Sequence, residues 1–341
     1  MLLSGSKSSR LMNNTRIPLD EDIKLSELPV LIICYARTSN VIALINQLQN
    51  LGIHNIYIAI DGAKSKNVEN AQSELIKYLK SPEIRFHDCI RLWKRSKNLG
   101  VAVSVITAID WFFSQVEYGA ILEDDLVPED SFFTYLHHFL KLFKPNSSIT
   151  LISGNKAQAL NCRSGDLCLT NYPQTWGWGT WRDRWLEIRF SAYSRDKKCN
   201  FSLSPVRNFW CYGTKRVLAG KVDTWDIPVA YFMYKHKKTS LLPPVNLVSN
   251  FGNDLFATHT VQNDALLRQD TSNISEVPLV DMQEMLKGIK TINRLLEVRV
   301  FGIKRVHAFL PFYSIFDFRR RGFLKRGFLK KRLSEVSIPS S

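Results

Sequence analysis

The sequence predicts an α/β fold with a mainly parallel central sheet, helices on both of its faces and a helical carboxyl-terminal tail. Three observations predict it. Val30-Leu31-Ile32-Ile33-Cys34-Tyr35 and Ile56-Tyr57-Ile58-Ala59-Ile60 are continuous β-prone runs, as expected of strands buried on both faces. Between them Val41, Leu44, Ile45, Leu48 and Leu51 fall at helical spacing with Gly52 as the stop, giving a strand-helix-strand unit. A third apolar run, Ala120-Ile121-Leu122, carries Glu123-Asp124-Asp125 to the point where a strand would end.

Composition bounds the partners. At 341 residues and 45% hydrophobic, the chain can bury a large core as one big domain or two smaller ones. The 46 basic against 31 acidic residues leave a net charge of +15, which favours phosphorylated substrates, anionic membranes or nucleic acid. Eight Lys or Arg and no acid lie between Arg319 and Arg332, within a tandem Arg-Gly-Phe-Leu-Lys repeat that suits an anionic membrane surface; no nucleic-acid fold signature accompanies it. The six cysteines contain no Cys-x-x-Cys pair, which argues against a zinc or redox motif and fits a reducing compartment. No signal-peptide pattern or bilayer-length apolar run is present, so the expected location is cytoplasmic, peripheral at the inner face of a membrane.

Taken in order, residues 1–27 read as a flexible arm, 28–150 as a nucleotide-binding half, 151–265 as an acceptor-binding and catalytic half, and 266–341 as a helical extension with the basic tail. Arg37 and Asp61 follow the first two strands and fall on the same sheet edge, where open α/β sheets bind ligands. A helix through Leu75, Ile76 and Leu79 leads to a short strand expected at Ile84-Arg85-Phe86. Arg95-Ser96-Lys97-Asn98-Leu99-Gly100 then opens the next helix, and a helix start beside two cations is either an anion site or an ordinary surface turn.

Three adjacent carboxylates repel one another unless a cation or donor offsets them. Mg2+ or Mn2+ would do so, held by one or two carboxylates plus substrate phosphates, so a metal-bound diphosphate is the inferred ligand; the alternative is a solvated acidic turn before a helix. Further on, Trp176, Trp178, Trp181 and Trp185 crowd into ten residues with Gly177 and Gly179. Trp181 and Trp185 fit the core, whereas Trp176-Gly177-Trp178-Gly179 suits the wall of an acceptor pocket, an indole stacking on a sugar face. Asp223 and Asp226 precede a helix through Val229, Phe232 and Met233; one fits a helix cap, and either could be the base that a transfer reaction needs. Leu242–Gly252 reads as a strand followed by a glycine-containing loop able to close over a ligand.

This ordered pattern resembles the GT-A type glycosyltransferases, in particular the N-acetylglucosaminyltransferase I family and related bacterial transferases. The likeness runs through Leu28–Tyr35 and Arg37, Ile60-Asp61-Gly62, Glu123-Asp124-Asp125-Leu126 with Pro128 and Phe132-Phe133, Ile152-Ser153-Gly154-Asn155, Gly177-Trp178, Trp225-Asp226, Pro244, Phe251-Gly252 and Thr258-His259, about residues 28 to 262. It implies a GT-A-like fold and a metal-dependent, inverting transfer from a nucleotide-sugar, a UDP-sugar for preference, to a glycan or lipid-linked acceptor. Asp125 would coordinate the metal, Asp124 would face the ribose or the metal waters, Glu123 the donor sugar, and Arg37 and Asp61 the nucleotide. The family's Trp-Asp-Asp-Trp run reads Trp225-Asp226-Ile227-Pro228 here, so Asp226 matches the base and the doublet's second Asp is missing; Asp223 is the reserve. Arg95 and Trp178 join the donor site by position, and His259 could reach the diphosphate or metal. Two other readings are a nucleotidyltransferase making nucleotide-sugars, against which Tyr35–Ser39 offers no glycine-rich phosphate loop, and a non-catalytic nucleotide or nucleic-acid binder working through its basic tail.

Overall fold

The computed structural model describes residues 16–19, 23–156, 166–194, 202–252, 270–278, 280–309 and 328–339. A short strand, β1 (Arg16–Pro18), falls within the expected amino-terminal arm. The strand-helix-strand unit follows as β2 (Val30–Cys34), α1 (Thr38–Asn50) and β3 (Ile56–Ile60). The Ser65 hydroxyl caps α2 (Lys66–Leu79) by accepting the Val68 N–H. The strand expected at Ile84–Phe86 is not formed; that segment turns, and the strand is β4 (Ile90–Lys94). The reason is its place at the sheet edge, where Arg91 and Lys94 face water and break the apolar run that marks inner strands.

Next come α3 (Val101–Gln115), β5 (Tyr118–Glu123), β6 (Leu126–Pro128), α4 (Asp130–Leu142) and β7 (Ile149–Ser153). The second half contributes β8 (Cys168–Thr170), β9 (Trp178–Trp181), α5 (Arg182–Ala192), α6 (Pro205–Leu218), α7 (Asp226–His236), β10 (Thr239–Leu242) and β11 (Val248–Asn250). β12 (Glu276–Pro278), α8 (Met282–Leu295) and α9 (Phe328–Ser334) complete the described elements.

Both halves build one eight-stranded sheet in the order β4-β3-β2-β5-β9-β7-β10-β8. Six of these strands run the same way and β9 and β8 run against them, so the sheet is mainly parallel, as expected. Side chains alternate across it. Val30, Ile32 and Cys34 face one core with α1, α2 and α4, whereas Leu31 and Ile33 face another with α3, α5 and α7. A third cluster joins α6 and α7 to α8 through Trp210, Tyr231, Ile292 and Leu296.

Two small antiparallel pairs sit outside the sheet, β11 on β6 and β1 on β12. Part of the basic tail is docked rather than free: α9 buries Leu329 and Leu333 in the core beneath α3, and its Arg332 guanidinium donates to the Leu99 carbonyl. Among the described residues no helix is long and apolar enough to cross a membrane. Cys211 corrects the reducing-compartment reading of the cysteines: it is buried and disulfide-bonded, its partner outside the described residues. Disulfides persist in oxidising surroundings, and sequence spacing does not reveal a pairing made by folding.

Candidate functional site

Parallel strands place their carboxyl ends on a common edge. Cys34 pairs with Ile60 and Ile33 with Glu123, so the turns after β2, β3 and β5 are neighbours. Arg37, Asp61 and Glu123-Asp124-Asp125 therefore share this edge, as expected. Their side chains hold quite different positions.

Asp124 is an anchor. Its Oδ2 accepts the backbone N–H groups of Tyr35, Ala36 and Arg37 at 2.7, 3.0 and 3.2 Å. The Arg37 guanidinium reaches its Oδ1 at 3.3 Å, and the Asn40 amide donates to its carbonyl at 3.1 Å. The turn after β2 is thereby tied to the end of β5. Arg37 also approaches the Gly252 carbonyl at 3.5 Å.

Asp125 lies half-buried in the turn between β5 and β6. Its carbonyl accepts the Phe251 N–H at 2.9 Å. Gly252 passes so close that a Cβ there would stand 2.7 Å from Asp125 Oδ2, so a side chain at that position would displace the carboxylate. The expected closing loop thus begins against the acids; His259 and the remainder of that loop lie outside the described residues.

Glu123 joins the acids to the second half of the chain. The Trp225 indole and the Asp226 carboxylate are both close enough to act on it electrostatically. Burial first, then repulsion from Asp125, Asp124 and Asp226, pushes the Glu123 carboxyl up to about 8 against the lowering effect of the indole. Such a concentration of negative charge suits a cation. Among the described residues no three His, Cys, Asp or Glu side chains form a metal cage. A divalent ion bound beside these acids would take one or two carboxylates together with ligand phosphates, the mode common for Mg2+.

Asp226 is the first residue of α7. Its Oδ1 accepts the Thr224 hydroxyl at 2.5 Å and the Ile227 N–H at 2.9 Å. Trp225 is fixed by Trp178, whose ring stacks on it at 5.6 Å and 17°, and by the Tyr193 hydroxyl, which donates to its carbonyl at 2.5 Å. Trp178 itself is 1% exposed, in β9 between β5 and β7, so its faces are covered by protein. Trp181 and Trp185 are buried, as expected.

Asp223 caps α3 from a distance, its two oxygens accepting the Val101 and Ala102 N–H groups at 3.0 and 2.9 Å. The anion expected at that helix start is thus supplied by the protein itself. Arg95 turns inward. Its guanidinium, 6% exposed, donates to the Ser104 hydroxyl and carbonyl and to Thr107, and lies 4.1 Å over Trp93. Burial lowers its pKa to about 10, with Asp61 opposing. Asp61 is buried as well and accepts the Leu99 N–H on both oxygens, at 3.0 and 3.1 Å; burial raises its carboxyl, and the Leu99 bond and Arg95 offset part of that rise.

A cavity of about 460 Å³ opens beside Arg95, lined also by Lys64, Lys66, Lys94, Gln72 and one acid, Glu69, which pairs with Lys66. Gln72 is fully buried and its amide nitrogen is fixed by the Tyr35 and Asp61 carbonyls at 2.8 and 2.9 Å. Sequence reasoning missed Gln72, Asn40 and Thr224. Only the adjacency of Thr224 to Trp225-Asp226 offered a signal, since the other two act through backbone groups brought near by folding.

No family profile and no curated protein sequence matches the chain. Solved structures that align with part of it include HddC from Yersinia pseudotuberculosis, at 10% identity and a TM-score of 0.29 over 46% of this chain and 77% of that one. Another is glucosyl-3-phosphoglycerate synthase from Mycobacterium tuberculosis in complex with Mn2+, uridine diphosphate and phosphoglyceric acid, at 11% identity and a TM-score of 0.28. That alignment spans 49% of this chain and 58% of the synthase. Likenesses this partial carry no argument of their own.

Proposed function

We propose that this chain is a metal-dependent, inverting glycosyltransferase that moves a sugar from a nucleotide-sugar, by preference a UDP-sugar, to a hydroxyl of a glycan or lipid-linked acceptor in cell-envelope or surface polysaccharide synthesis. The observation that carries the reading is the gathering of Arg37, Asp61 and Glu123-Asp124-Asp125 at the carboxyl ends of β2, β3 and β5, with Trp225-Asp226 brought alongside by the stack of Trp225 on Trp178, the β9 neighbour of β5. The basic cavity beside Arg95 supports it too, as an electropositive receptor for the nucleoside diphosphate end of the donor.

In this reading Asp125 would hold Mn2+ or Mg2+ together with the donor diphosphate, and Asp124, engaged by three N–H groups and Arg37, holds the turn that would present it. The bound ion would neutralise charge on the leaving diphosphate. Glu123 faces the donor sugar. Asp226 takes the proton of the acceptor hydroxyl while that oxygen bonds to the anomeric carbon, and the bond from that carbon to the diphosphate breaks with its electron pair leaving on phosphate. The cations of 319–332 not packed against the body would add contact with an anionic membrane surface.

Melting the protein with a panel of nucleotides and nucleotide-sugars, each with Mn2+ and with chelator, tests this first. A ligand at a hundred times its Kd adds about 2.7 kcal/mol of stability. One nucleoside diphosphate and its sugars should shift the melt only with metal, Asp125→Ala should lose that shift, and Asp226→Asn should keep it while transfer falls by about a hundredfold or more. Transfer by Asp226→Asn within threefold of wild type would refute the base assignment.

A further inference from the structure

The turn that starts α7 is unusually well fixed. Trp225 is buried, stacked on Trp178 at 5.6 Å and held at its carbonyl by the Tyr193 hydroxyl at 2.5 Å. A turn so anchored to β9 and to the end of α5 leaves the Asp226 side chain the freedom of its own rotamers. That freedom is removed from one side only. The Thr224 hydroxyl donates to Oδ1 at 2.5 Å and the Ile227 N–H donates to the same oxygen at 2.9 Å. Oδ2 accepts no hydrogen bond from the described residues.

We propose that Thr224 is a positioning residue for Asp226, pinning Oδ1 so that Oδ2 is the oxygen that accepts the proton of the attacking hydroxyl. The inference rests on the reading of Asp226 as the base. An unpinned carboxylate samples both oxygens and several rotamers, whereas a base must meet its proton at hydrogen-bond distance. The backbone N–H of Ile227 supplies orientation in any variant; only Thr224 adds a hydroxyl that mutation can remove.

Thr224→Val keeps the shape and removes the donor, and Thr224→Ser keeps the donor. Loss of one hydrogen bond to a charged group predicts a fall in kcat of about 10- to 100-fold for the valine variant. Its KM for the donor and its metal-dependent melting shift should stay unchanged. The serine variant should recover to within about threefold of wild type. Should Thr224→Val fold poorly, Thr224→Ala gives the same readouts.

A valine variant whose kcat stays within threefold of wild type overturns the inference, as does one that loses kcat and donor KM together, or a serine variant as impaired as the valine. The two levels separate cleanly. Transfer retained by Asp226→Asn removes the base assignment and Thr224 with it, whereas an inactive Asp226→Asn beside an unaffected Thr224→Val removes Thr224 alone.

Discussion

Replacing Asp124 by Ala should damage the fold itself. Its carboxylate is 8% exposed and satisfies three backbone N–H groups at the end of β2, with the Arg37 guanidinium at 3.3 Å on its other oxygen. Removing it orphans those donors. A buried donor left unsatisfied costs about 1–3 kcal/mol. The Ala36 N–H is buried, and those of Tyr35 and Arg37 lie in half-buried residues where water can restore part of the loss. The sum comes to about 3–5 kcal/mol, in line with the cost of removing one partner of a buried ion pair. At a urea slope of about 3 kcal/mol per molar, the unfolding midpoint should fall by about 1–1.5 M with the slope unchanged. Asp124→Asn keeps an oxygen for the N–H groups and should lose about half as much. An Asp124→Ala midpoint within about 0.2 M of wild type would refute the anchor role and return Asp124 to the metal.

Other outcomes follow from the same geometry. Asp223→Ala removes a cap supplied to α3 and should cost about 1 kcal/mol in urea unfolding while transfer stays within threefold, since both its oxygens serve Val101 and Ala102; a loss of transfer equal to that of Asp226→Asn would exchange their roles. Leu333→Ala should cost about 2–4 kcal/mol because α9 buries it in the core, and a negligible cost would mean that the tail is not docked. Burial, with Lys141 adding and Glu27 opposing, lowers the His137 imidazole to about 4. Its folded value lies below its unfolded one, so the unfolded chain binds more protons between about pH 6.5 and 4, and stability drops as pH falls through that window, by about 2 kcal/mol at pH 5. Urea midpoints at pH 8 and pH 5 should differ less in His137→Gln than in wild type, and equal differences would contradict this.

Much of the sheet was legible because inner parallel strands are apolar on both faces. β2, β3 and β5 carry that signature and were expected where they occur. β4 was displaced because an edge strand carries charge toward water. α6 gave no clear pattern, its buried positions including Asn208 and Thr214 between basic residues. The tryptophan cluster misled in part: alternation with glycine suggested an open wall, whereas β9 is short, central and covered, and glycine lets it sit tightly between β5 and β7. The site was legible as residue types on a common edge. What each carboxylate touches was not, since the donors to Asp124 lie 87 to 89 residues away and those to Asp223 more than a hundred.

The acids nonetheless follow one rule. Asp124 and Asp125 are adjacent, and Asp223 and Asp226 share one turn; in each pair the first carboxylate is taken by backbone N–H groups of a distant segment, Tyr35–Arg37 or Val101-Ala102. A carboxylate held by such donors fixes the backbone around it. The second acid of each pair then starts from a backbone already held in place, which is what a group that must meet a ligand to within a fraction of an ångström requires. Read this way, a run of acids is not a set of equivalent ligands: one member is the foundation on which its neighbour acts, and exchanging their roles by mutation should fail even though composition and charge are preserved.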